Sequence, residues 1–455
     1  MEAKGLLFLV FHSIINIIIL ASVSAATATS TACGSTRIVS QADADALSGC
    51  ATVTGDIVLA TNAAGNISLT GVEVIDGSIT TETCIWKNGT AGTYVAGSPV
   101  LAIPYMSDDT DIQSAYTDNN CTGLVSLAGP TLMSISQALN LSNLPGLASV
   151  SFPKLKTVAG EVLLYGVPSL ENLTLPQLAS AESFHLVDAQ ELQSLDLPAL
   201  NNVTGTFEIQ TVGLTYDTYV FSLEFLVSSF IIGGIPKVRG FQLTAGHVGL
   251  LEVQGNGFLE FVYWNAIDYN RVDTLSVSGC GSLVFGNMAV DTLIVNGNTI
   301  STLRLNGIQT IKTLRIHNNR QLTDVEMPFF PSLSGFGLLP SWQNLEISGN
   351  PLLQSARIEY YGNPPIQNLS SMVFTGPFDY AWFSKIFTVE KVWGQTLVAS
   401  TDPGFNCSYL DKLRANGTLA GIYTCQGTTA SMAASSSPSH GAGHRLAASG
   451  ICSWL

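Results

Sequence analysis

Leu275-Ser-Val277-Ser-Gly-Cys280, Leu293-Ile-Val295-Asn-Gly-Asn298, Leu314-Arg-Ile316-His-Asn-Asn319 and Leu345-Glu-Ile347-Ser-Gly-Asn350 repeat one frame, apolar-x-apolar-x-x-Asn/Cys. Leu251-Glu-Val253-Gln-Gly-Asn256 opens the series. Alternating apolar residues before a turn describe a short strand with one buried face. An Asn three positions past the last apolar residue can turn inward and bond the backbone of neighbouring coils, and Cys is the usual substitute there. The frame therefore predicts that Leu275, Leu293, Leu314, Ile316, Leu345 and Ile347 point inward. It also predicts that Asn256, Asn298, Asn319 and Asn350 sit at corners, and that Cys280 is a buried, reduced corner residue.

The first half repeats in a second pattern, apolar-x-Gly-x-apolar. It reads Val53-Thr-Gly55-Asp-Ile57, Ile75-Asp-Gly77-Ser-Ile79, Val158-Ala-Gly160-Glu-Val162 and Val203-Thr-Gly205-Thr-Phe207. Pro153, Pro176 and Pro198 recur between them in apolar-Pro-x-Leu, and proline fits a strand end or corner. Spacing near one coil length is the signature of stacked coils, and Thr302-Leu-Arg-Leu305 falls half a period late, so each coil carries more than one strand. No stretch shows a long 3.6-residue rhythm. The expected architecture is all-β, a parallel β-solenoid with a period of about 22 residues. Two halves are expected, 26–215 and 216–427, joined through the buried apolar stretch Tyr219–Ile235, where the rhythm falters. Residues 428–455 form a small, polar, Ser/Ala-rich tail.

Composition narrows the function. Charged residues make up 11% of 455, where ordinary domains carry about a quarter. Lys+Arg number 18 against 33 Asp+Glu, a net charge of −15. That balance excludes a protein that neutralises nucleic-acid phosphates or rides on polybasic segments. Forty-six percent hydrophobic residues suffice for a large core. Solubility must come from something other than charge.

N-glycans on a secreted chain are expected to supply it. Lys4, the apolar run Gly5–Leu20 and small residues up to Ala25-Ala26 read as a signal peptide over 1–25. An uncleaved anchor is disfavoured, because the run is shorter than the about 20 residues of a typical span. Sequons occur at Asn66, Asn88, Asn120, Asn140, Asn172, Asn202, Asn368, Asn406 and Asn416. Asn120 and Asn406 carry Cys in the middle position, a poorer acceptor context. Eight cysteines suit an oxidising compartment but allow 105 pairings. Cys33 and Cys50 open the mature chain, and Cys407 and Cys425 lie near its end; each pair would close a loop worth about 3 kcal/mol. Cys84 and Cys121 are a third candidate pair, while Cys280 and Cys452 stand apart. No Cys/His spacing suits zinc.

With these residues in view, the chain resembles the fungal GPI-anchored cell-wall organisation proteins with receptor-L-domain-like, leucine-rich repeats. The resemblance rests on Cys50-Ala-Thr-Val-Thr-Gly-Asp-Ile57, on Gly77-Ser-Ile79, and on Cys407-Ser-Tyr-Leu-Asp with Gly421-Ile-Tyr-Thr-Cys425-Gln-Gly427. It implies a right-handed solenoid with disulfide-capped ends and no enzymatic activity or cofactor. It further implies a role in wall integrity at the cell wall or the outer face of the plasma membrane. Cell-wall glycans or wall proteins are the expected partners. A lipid anchor is a further candidate, although Leu446–Leu455 is short for a GPI signal.

No catalytic constellation stands out in the sequence. The histidines His12, His185, His247, His317, His440 and His444 are scattered, and no nucleophile elbow or phosphate loop exists. Parallel β-helices can carry paired carboxylates one coil apart. Glu161 with Glu182, and Asp188 with Glu208, have that spacing, which coincidence also supplies among 33 acids. Aromatic clusters at Tyr263-Trp264 with Tyr269, Tyr360-Tyr361, and Phe378-Asp-Tyr380-Ala-Trp382-Phe383 with Trp393 either stack on sugars or plug the solenoid end; the plug is favoured. The expectation is no catalytic, cofactor or metal residue. The alternatives are a receptor-like ligand-binding ectodomain and, less favoured, a polysaccharide-cleaving β-helix.

Overall fold

The computed structural model describes residues 32–87, 90–94, 123–215, 218–222, 227–235, 237–238, 240–244, 247–255, 259–260, 271–281, 283–285, 288–305, 308–329, 343–353, 355–360, 366–378 and 389–427. They form two compact units, Met1–Leu178 and Ala179–Leu455. Each unit is a parallel β-solenoid.

In the first unit the coils build three sheets, the first coil contributing to two of them. One stacks Ala32–Cys33, Thr52–Thr54, Val74–Asp76, Ser134–Ile135 and Thr157–Val158. A second stacks Thr36–Ile38, Ile57–Leu59, Ile79–Thr81, Leu139–Ser142 and Glu161–Tyr165. A third stacks Gly65–Ser68, Leu124–Ala128, Ser149–Ser151 and Asn172–Thr174. Because identical positions stack, apolar residues form inward columns, such as Val53, Ile75, Ile135 and Val158, all buried. The turn glycines answer a packing need: a Cβ on Gly77 would stand 2.3 Å from the Gly55 carbonyl oxygen of the previous coil. An antiparallel hairpin, Thr83–Lys87 with Thr90–Tyr94, interrupts the stack. Across this insertion Ser136 bonds Asp76, 60 residues away.

The first coil is sealed by the short helix Gln41–Asp45. Asp43 Oδ2 accepts the Val39 and Ser40 amides, each at 2.9 Å. Gln41 satisfies the open edge of the third sheet through both its amide groups, on the Ser68 N–H (2.7 Å) and C=O (3.1 Å). Such capping removes a template for edge-to-edge association. Cys33–Cys50 is bonded across this cap.

In the second unit a long parallel ladder runs from Ser183–Ala189 and Thr206–Val212 through Val227–Gly233, His247–Gln254, Arg271–Ser278 and Met288–Asn296. It continues through Thr313–His317, Asn344–Ser348, Ile366–Gly376 and Val389–Ser400 to Tyr423–Gln426. A second sheet starts at Thr218–Ser222 and Gly240–Thr244 and reaches Asp324–Phe329 and Ser355–Tyr360. Thr302–Arg304 belongs to it, so coils do carry several strands. Phe184, Phe207 and Phe230 stack in register at centroid spacings of 5.4 and 5.0 Å. The predicted inward residues Leu275, Leu293, Leu314, Ile316, Leu345 and Ile347 are all buried.

The junction expected at 215/216 falls inside this second unit. The ladder crosses it in register, Thr206 opposite Ser229 through Gln210 opposite Gly233. Tyr219–Ile235 is divided between two strands on different sheets, Thr218–Ser222 and Val227–Gly233, and its apolarity reflects burial of Phe230, Ile232 and Ile235. Phe374, Phe378 and Phe405 pack edge-to-face near the C-terminal end, at 6.2 and 5.5 Å, which is the plug expected of Phe378. Helix Ser408–Ala415 buries Leu410 there, and Cys407–Cys425 is bonded. No helix among the described residues is long and apolar enough to cross a membrane.

Candidate functional site

The corner after the long ladder is built from asparagines. Asn298, Asn319 and Asn350 are at most 2% exposed. Each side-chain oxygen accepts the backbone N–H of the preceding corner residue: Cys280 to Asn298 (2.8 Å), Asn298 to Asn319 (2.9 Å) and Asn319 to Asn350 (2.9 Å). Each Nδ2 donates to two carbonyls, for Asn319 those of Val295 (3.0 Å) and His317 (3.1 Å). Buried amides are thus fully paired, the condition for tolerating them. Coil length is free to vary because only the corner is pinned: successive corner residues lie 18, 21 and 31 residues apart. Among the described residues Cys280 is the first of this ladder, buried and outside any disulfide, as expected. Asn256 lies outside the described residues.

Just before the corner, successive coils place Gly255, Gly279, Gly297, Asn318 and Gly349 at positive φ. Thr211 takes the same position at φ 54°, where a β-branched residue is strained.

The outward residues of the ladder carry the polar chemistry. Near one edge an ion ladder links three coils and part of a fourth. Arg271 reaches Asp273 (3.2 Å) and Asp291 (2.7 Å), Lys312 reaches Asp291 (2.7 Å), and His247 Nε2 stands 2.9 Å from Asp273 in an ion-pair approach without hydrogen-bond alignment. Burial opposes ionisation of Asp291, but Lys312 and Arg271 outweigh it and hold the carboxyl below its usual range. Beside it runs a column of Thr274, Thr292, Thr313, Asn344 and Ser371. Ser371 donates to Asn344 (2.8 Å) and Asn344 to Thr313 (3.2 Å). The signal for the ion ladder lay in the repeated charge-Thr-Leu at Asp273, Asp291 and Lys312, which sequence reading passed over.

Past the corner, coils around Arg320, Pro351, Pro377, Thr401 and Gln426 enclose an open trough of about 830 Å³, and among the described residues its lining includes no carboxylate. Sequence reasoning missed this trough entirely.

Of the sequon asparagines, Asn66, Asn172, Asn406 and Asn416 are exposed, and Asn140 and Asn202 are half-buried. Asn368 lies in the strand Ile366–Gly376, in register with Lys391. Asn88 and Asn120 lie outside the described residues. So do Cys121 and Cys452; Cys84 lies in the hairpin strand Thr83–Lys87.

The candidate acids occupy different settings. Glu161 heads a strand of the first unit, whereas Glu182 is an exposed bend residue of the second. Glu208 stands opposite His185 rather than Asp188 and contacts it at 2.7 Å. His317 is held below its usual range chiefly by burial, with Glu346 opposing and Arg315 assisting. Trp393 is 59% exposed, with Lys391 Nζ 3.8 Å from a ring centroid. Tyr263, Trp264, Tyr269, Tyr361, Tyr380, Trp382 and Phe383 lie outside the described residues. Known protein families, curated proteins and solved structures offer no match to this chain.

Acid should weaken this structure. Asp43 is held below its usual range by the Val39 and Ser40 amides, and Glu82 by the paired Arg37, against the cost of burial. A depressed folded pKa contributes stability above the unfolded value and loses it as pH falls through the folded value. His317 acts in the same direction. The denaturation midpoint is expected to hold above about pH 6.5, slip below it, and fall steeply below about pH 4. Glu82→Gln should remove part of the steep fall; an acid limb identical in that variant would contradict the assignment.

Proposed function

We propose that the chain is a secreted, N-glycosylated, non-enzymatic structural or interaction protein of the fungal cell wall or outer plasma-membrane face. It would organise wall glycans or wall proteins along its solenoid faces. The observation that carries this reading is the siting of the sequons: all six asparagines with described side chains lie outside the buried core of a disulfide-closed solenoid. N-glycans there would solubilise a surface poor in charge. Bonded cysteines at both ends agree with an oxidising compartment. The open trough favours a second reading, a receptor-like ectodomain that holds a ligand.

Cell fractionation with and without phosphatidylinositol-specific phospholipase tests the reading. The expected result is a chain in the wall or membrane fraction whose mass drops on endoglycosidase treatment. A cytosolic chain of unmodified mass would overturn it.

A further inference from the structure

We propose that the trough binds an acidic saccharide, with Arg320 gripping the carboxylate of a hexuronate. This rests on the glycan-binding reading above and gives it a site and a ligand class.

The argument begins with the arginines. Arg37, Arg271, Arg304 and Arg315 each face a carboxylate, and Arg414 donates to the Leu419 and Gly421 carbonyls. Arg320 is the exception: among the described residues its guanidinium has no partner. In a chain of net charge −15, this unneutralised cation lines a trough with no acid among the described residues of its wall. Its backbone is firmly placed, because the preceding residue is the buried, fully bonded Asn319.

The remaining lining suits a sugar ring. Pro351 and Pro377 offer rigid apolar surface to the C–H face of a pyranose, and Thr375, Thr401 and Gln426 offer hydroxyl and amide groups to its edges. A volume of about 830 Å³ accommodates a short oligosaccharide. A planar carboxylate takes two parallel N–H bonds from a guanidinium, a geometry that a lysine cannot reproduce.

Titration calorimetry of the full-length glycoprotein with trigalacturonate, and with the same trisaccharide as its methyl ester, tests the assignment. The acid should bind about ten- to a hundred-fold more tightly than the ester. Arg320→Gln should abolish that margin with an unchanged thermal midpoint, and Arg320→Lys should retain only part of it. Equal affinity for acid and ester, no binding of either, or an unchanged margin in Arg320→Gln would overturn the proposal. So would equal affinity for an acidic peptide, or binding that emerges only after removal of residues 428–455, since each assigns the trough to another occupant. A wall-retained glycoprotein that fails these titrations refutes the trough assignment alone, whereas a cytosolic chain that passes them refutes only the wall reading.

Discussion

Asn319→Leu is expected to destabilise the second unit by about 3–5 kcal/mol, because it orphans several buried groups at once. The Asn298 N–H loses its acceptor, and the Val295 and His317 carbonyls lose their donor. Leucine restores volume but no hydrogen bond, so the loss reports the polar ladder and not a cavity. A solenoid passes such damage to its neighbours, since each coil is stable only against the next. Amide exchange should therefore accelerate through Leu293–Asn298 and Leu345–Asn350 as well as at the mutated coil. Cys280→Asn, at the ladder's end, should cost much less. Chemical denaturation of the three proteins checks this; an Asn319→Leu variant within 1 kcal/mol of the parent would contradict the corner's role (about half the smallest loss from a single orphaned pair of buried groups).

Opening the C-terminal disulfide is the second large effect. Cys407 and Cys425 close a loop with a sequence separation of 18, worth about 3 kcal/mol in the chain-entropy account. Cys425 lies in Tyr423–Gln426, which pairs with Val389–Ser400 opposite Val398, so the bond ties this last strand to the start of the helix Ser408–Ala415. The double variant Cys407→Ser, Cys425→Ser should release this last strand and the helix Ser408–Ala415 before the rest unfolds. Exchange at residues 408–426 should rise many-fold while Leu293–Asn298 stays protected. Uniform acceleration, or none, would contradict a terminal cap.

Much of the fold could be read from residues that act locally. The Leu-x-Val-x-x-Asn frame encodes strand, corner and inward face together, because one coil repeats the needs of the last. The turn glycines were equally legible, since Gly77 has no room for a side chain against Gly55. What escaped reading depends on contacts between coils. Asp291 meets Arg271 and Lys312 at separations of 20 and 21 residues, while the corner spacing drifts from 18 to 31, so no fixed offset finds such partners. The trough gathers residues from 318 to 427 that are far apart in the chain, so no single stretch announces it. Tyr219–Ile235 breaks the visible rhythm, yet its backbone keeps the ladder's register.

Peptide mapping by mass spectrometry of the chain, isolated from its host without reduction, tests the secreted, disulfide-capped solenoid. The expected map has glycopeptides at Asn66, Asn172 and Asn416, disulfide-linked peptides joining Cys33 to Cys50 and Cys407 to Cys425, and an alkylatable thiol at Cys280 after unfolding. Unmodified sequons with reduced terminal cysteines, or either terminal pair cross-linked to Cys280, would contradict it.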